Sequence, residues 1–160
     1  MITGRPTLSD RNDRADVTAA KAAREHEAIV TAVHILEKAL ASPAVGREAA
    51  WKRNAAPALR EVIESLKAHR ESAENQGGVL AEAEAVLGRP PALAAARNQH
   101  TRLTREANQL LVALITEDPK RSFREIRRRG RRLTSLLHDH RALEADLIME
   151  AFERDIGGEA

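Results

Sequence analysis

Six histidines are spread through the 160 residues, and no cysteine accompanies them. Four of them, His26, His69, His100 and His140, occupy positions where apolar residues recur at spacings of three and four, one histidine in each of four such segments. In a helix those spacings trace one face, so the four imidazoles stand on faces destined for a core. A single core histidine is most simply a hydrogen-bonded one. Four together change the balance, because clustered imidazoles without partners are costly, whereas a metal ion accepts all their lone pairs. Imidazole nitrogen with carboxylate oxygen and no sulfur suits iron, manganese or zinc rather than copper(I). Glu144, four residues after His140, lies about 40° round the same helix and one turn along, and supplies the oxygen.

Other candidates are less well placed. Glu74 is five residues after His69, about 140° away, and stands as a reserve carboxylate; Glu71, about 200° away, belongs to a solvated face. His34 sits beside Val33 at the edge of its stripe, and His138 is two residues before His140 and should point outward. Neither is expected to be a ligand. Missing cysteine removes thiolate sites, iron–sulfur clusters and disulfides. Nucleotide-binding glycine loops and nucleophile elbows are absent too.

The same periodicity defines the elements that must hold these residues. Ala, Leu, Glu, Arg and Lys dominate, while Gly (8), Pro (6) and aromatic residues (2%) are scarce. Helix propensity is therefore high almost throughout, and the fold class is all-α. Residues 1–16 lack apolar periodicity and read as a flexible arm, leaving 17–158 as one domain. Within it, helices are predicted over 17–42, 55–76, 91 to just before Pro119, and 121–155, with Pro57 in a first turn and Gly130 as a weak point or kink. Residues 79–87 add a helical turn. Trp51 and Phe123 read as core caps. Long helices with short connections pack most simply as an up-down-up-down antiparallel four-helix bundle. Counted at about 1.5 Å per residue, the four histidines then fall within roughly 5 Å of one level.

Charge and hydropathy narrow the partners. The net charge is +2, from 26 basic and 24 acidic residues, so any basic surface must be local. Residues 120–132 hold eight Arg or Lys but one aromatic, Phe123, which gives no stacking platform; a nucleic-acid partner is not indicated and a solvated basic face is expected. No apolar run suits a signal peptide or a membrane span, so a cytoplasmic protein without a membrane partner is the expectation.

With these helices, histidines and the His140–Glu144 step in place, the chain resembles the hemerythrin-like (HHE) domains over about residues 20–158. The resemblance is carried by Glu25-His26-Glu27, by Leu66-Lys67-Ala68-His69 with Gly77-Gly78 beyond it, by His100 with Leu103, and most specifically by the tail from His140 through Glu144 to Gly157-Gly158. It implies a four-helix bundle holding two irons, with His26, His69, His100 and His140 as ligands and Glu144 as a bridging carboxylate. Two positions depart from the pattern: Ala73 stands where helix two usually has a glutamate, and Thr104 where helix three often has a histidine. One bridging carboxylate and one terminal histidine are missing, so iron is expected as a pair, as a single ion, or weakly held, with Glu74 or solvent filling in.

Two functions follow as expectations. The first is a non-haem iron protein that binds or senses dioxygen, peroxide or nitric oxide, or handles iron. Because the chain has no tyrosine or cysteine to relay a radical, binding or sensing ranks above catalysis. The second is a metal-free helical interaction module that has lost ligands.

Overall fold

The computed structural model describes residues 8–116 and 122–157. Four long helices and one short helix account for them: α1 (Leu8–Ala41), α2 (Glu48–Glu74), α3 (Val79–Leu87), α4 (Pro91–Ile115) and α5 (Phe123–Gly157). No strand occurs among the described residues, and no helix is long and apolar enough to cross a membrane. The long helices form a ring of neighbours, α1 beside α2, α2 beside α4, α4 beside α5 and α5 beside α1, while α3 lies mainly against α5 and α2.

Three boundaries differ from the sequence expectation. Residues 8–16, read as part of a flexible arm, are the first turns of α1; residues 1–7 lie outside the described residues. Asp10 sits in the first turn of α1, where negative charge favours the helix end. Among the side chains described, the first buried one of α1 is Ala22. Helix α2 starts at Glu48 rather than near 55, which puts Pro57 inside it instead of in its first turn. An interior proline costs about 3 kcal/mol or more, and the additional turns bury Trp51. The Trp51 ring meets Phe123 edge-on at 4.8 Å, a favourable aromatic arrangement. Finally, 79–87 form a separate helix rather than a single turn. The predicted break at 117–121 lies outside the described residues.

Gly130 neither ends nor interrupts α5. A side-chain carbon at this position would crowd the Leu40 methyls at 2.6 and 2.8 Å, so glycine lets α5 approach α1 closely here.

Two apolar bodies flank the histidine level. The larger runs from Trp51, Ala55, Leu59 and Val62 through Leu36, Leu110, Ile126 and Leu137. The smaller joins Ala73, Leu80, Ala83, Leu93, Ala96 and Leu147, with α3 as its outer wall. Gly78 makes that wall possible: a side chain there would strike the backbone carbonyls of Ser72 and Ala73. Gly78→Ala is therefore expected to lose about 1–3 kcal/mol in urea unfolding, and Leu59→Ala, which empties a fully buried site, about 2–5 kcal/mol.

Candidate metal centre

Between the two apolar bodies lie four buried polar side chains, His69, His100 and His140 with Glu144, whose candidate ligand atoms are all within 4.8 Å of one another. A metal ion could be held by this group. His26 joins from α1, with 17% of its side chain exposed. Ring centroids separated by 5.4 Å (His26–His69), 5.2 Å (His69–His100) and 4.6 Å (His100–His140) place the four imidazoles in one layer. The level counted along the helices is thus found, although α1 begins nine residues earlier than the count assumed.

Glu144 is the focus of the layer and is completely buried. Its Oε2 lies 2.9 Å from His26 Nε2 and 2.9 Å from His69 Nε2. Its Oε1 lies 3.0 Å from His100 Nε2 and 3.2 Å from His140 Nε2. Burial alone would raise the carboxyl, but the imidazoles of His100, His140, His26 and His69 outweigh it and hold Glu144 far below the usual carboxylate range. Hydrogen bonds from the rings of His26, His69 and His100 hold the anion.

The outer nitrogens show what the inner ones require. His100 Nδ1 is 2.7 Å from Glu74 Oε1, and His140 Nδ1 is 2.8 Å from Gln99 Oε1. Both outer partners are oxygens, so each ring carries a proton on Nδ1. For His100 the second side also faces an oxygen, and satisfying both demands either a doubly protonated ring or a cation at Nε2. Burial lowers the His100 value, yet Glu144 and Glu74 overcome it and hold the ring protonated above its ordinary range. His140 behaves oppositely: burial comes first and, with His100 and His69 nearby, pushes it below the ordinary value despite Glu144. A neutral His140, its Nδ1–H donating to the Gln99 oxygen, aims an Nε2 lone pair at a carboxylate, and that buried nitrogen has no hydrogen-bond partner. A cation between the nitrogen and the carboxylate satisfies both.

A regular pattern underlies these outer contacts. Glu25 of α1 approaches His69 of α2, with Oε2 3.8 Å from Nδ1; Glu74 of α2 supports His100 of α4; Gln99 of α4 supports His140 of α5. Three of the four long helices, α1, α2 and α4, thus turn an oxygen toward the histidine of the next helix round the ring. The first distance is too long for a hydrogen bond, and His69 Nδ1 is a buried nitrogen without a partner.

Glu74, the reserve carboxylate of the sequence, stands behind His100 and outside the inner group; it is the last residue of α2 and reaches across the α2–α4 boundary. Gln99 was not singled out from the sequence, and Glu25 was singled out only as part of a motif. Their signal is position: each immediately precedes a stripe histidine, and such a neighbour points about 100° away, toward the adjacent helix. Ala73 is buried in the smaller apolar body, so no carboxylate enters from α2. Thr104 turns its hydroxyl onto its own helix, donating to the His100 carbonyl at 2.9 Å. His34 is exposed; His138 is exposed as well and lies 3.2 Å from Glu37.

In the basic run Arg124, Arg128, Arg131 and Arg132 are exposed, as expected of a solvated face, while two arginines pack locally. Arg127 folds over the Phe123 ring at 4.5 Å and donates to the Ser42 carbonyl, and Arg129 pairs with Glu125 at 3.0 Å. Lys120 and Arg121 lie outside the described residues. No family model, curated protein or solved structure matches the chain.

Glu144 sets a pH consequence for the metal-free chain. Because its folded value is depressed, the stability it contributes is present above its unfolded value of about 4.3 and is lost as the pH falls from there toward the folded value. Between about pH 5 and about pH 3 the metal-free protein is expected to lose stability more steeply than Glu144→Gln, as read from urea midpoints at each pH.

Proposed function

We propose that the chain is a hemerythrin-like, cytoplasmic non-haem iron protein that binds or senses dioxygen, peroxide or nitric oxide, or handles iron. The observation that carries this reading is the convergence of four imidazole Nε2 atoms, one from each long helix, on the single buried carboxylate of Glu144. An up-down-up-down antiparallel course for α1, α2, α4 and α5 belongs to the same reading. Supporting it, Leu40 near the end of α1 meets Gly130 near the start of α5, while His26, earlier in α1, meets Glu144, later in α5.

In this reading His69, His100, His140 and Glu144 hold the iron, and His26 completes the set from the partly exposed side. An all-nitrogen and oxygen donor set suits iron, manganese and zinc. Iron supplies a redox-active cation with positions open to a small ligand. The residues of the chain do the rest: Glu144 offsets positive charge, the rings fix the direction of each lone pair, and the apolar bodies on either side exclude bulk water. The single inner carboxylate, with Ala73 and Thr104 where further ligands are expected, favours fewer protein ligands than a full two-iron site.

Elemental analysis of protein expressed with added iron, together with its absorption spectrum, tests the proposal. Iron and a visible charge-transfer band are expected in the parent, in His34→Ala and in His138→Ala. Glu144→Ala is expected to fall to background iron with helicity retained, because Leu133, Leu137 and Leu147 still fill their sites. Colourless, iron-free parent protein would overturn the proposal and favour a metal-free interaction module.

A further inference from the structure

We propose that Glu74 is a positioning residue for the metal centre: it fixes the His100 ring with its proton outward and supplies beside the inner group the negative charge that Ala73 withholds. The inference rests on the metal-binding part of the reading above but not on iron.

Three observations carry it. Glu74 Oε1 lies 2.7 Å from His100 Nδ1, the shortest contact to any histidine of the layer. The other oxygen, Oε2, is occupied by Arg70 Nε at 3.4 Å, so the carboxylate has one oxygen on the ring and one on a cation from its own helix. Glu144 occupies the opposite edge of the same ring at 3.0 Å, which separates the two carboxylates by the width of an imidazole. Glu74 cannot reach an ion at Nε2 while it holds Nδ1, and its role is therefore exercised through His100.

The physical effect has two parts. An acceptor on Nδ1 keeps the proton there, directs the Nε2 lone pair inward, and makes that nitrogen a better donor. The charge acts separately. Glu144 alone leaves a divalent ion one charge short of neutrality, and a carboxylate one ring away offsets the remainder. Glu74 is a carboxylate that faces the His100 ring on one oxygen and Arg70 on the other, and a glutamate is an anion at neutral pH. Gln99 supports His140 through a neutral oxygen, which leaves Glu74 as the charged member of the two hydrogen-bonded outer contacts.

Glu74→Gln keeps an oxygen on Nδ1 and removes the charge; Glu74→Ala removes both. Affinity for Co(II), followed by its visible absorption, and the ring N–H signals of the Zn(II)-loaded protein read the two effects. Glu74→Ala is expected to bind Co(II) about 10–100-fold more weakly at unchanged stoichiometry and to lose the slowly exchanging, downfield Nδ1 proton of His100. Glu74→Gln is expected to keep that proton and recover part of the affinity. Parent-like Co(II) affinity and an intact Nδ1 proton in Glu74→Ala would overturn the proposal. So would equal abolition of binding in both variants, which would make Glu74 a direct ligand. A parent protein that binds Co(II) with this dependence on Glu74 yet takes up no iron would sink the iron reading and leave this one standing. A parent that binds neither Co(II) nor Zn(II) would sink this proposal, whatever its iron content.

Discussion

A carboxylate with no exposed surface sits at the centre of this protein, and the arrangement around it follows from the cost of burying that charge. An isolated anion in such a place would take up a proton. Here four rings face Glu144 through the same atom, and the charge survives. Holding four rings in that attitude needs a histidine on every long helix at one level, and it needs those helices to be neighbours in a closed ring. The packing of Leu36, Leu59 and Val62 on one side and of Leu80, Leu93 and Leu147 on the other fixes that level.

The inner layer alone underdetermines the rings, because an imidazole can present either nitrogen. The outer oxygens resolve this for His100 and His140. Since each outer oxygen comes from a neighbouring helix, no helix of the ring carries a complete supporting set for its own histidine. The centre is therefore a property of the assembled bundle, and its formation is tied to folding in the way metal sites commonly are.

Much of this was legible in the sequence, and the part that was not has a physical reason. Stripe periodicity located His69, His100, His140 and Glu144 because all four face inward along their own helices, where a repeat of three and four is decisive. Glu74 and Gln99 escape that test, since their targets lie on a different helix and depend on how two helices face each other. Periodicity also failed at boundaries. The start of α2 is governed by Trp51 packing on Phe123, a contact between residues 72 positions apart, and no local signal outweighs the proline that follows. Residues 8–16 read as an arm because they lack an apolar stripe, yet they are helical.

The close fit of Gly78 against the carbonyls of Ser72 and Ala73 has a bearing on how the chain tolerates changes of length. Directly after Glu74 the backbone reverses within residues 75–78 and enters α3, so the wall of the smaller apolar body and the carboxylate behind His100 hang from one short stretch. An insertion or deletion there shifts α3 against the end of α2 that carries Glu74, whereas the connection at 42–47 joins α1 to α2 at the far end of the larger core, into which Ala44 is packed. Of the two connections, the one at 75–78 is part of the centre's architecture although it contributes no atom to it.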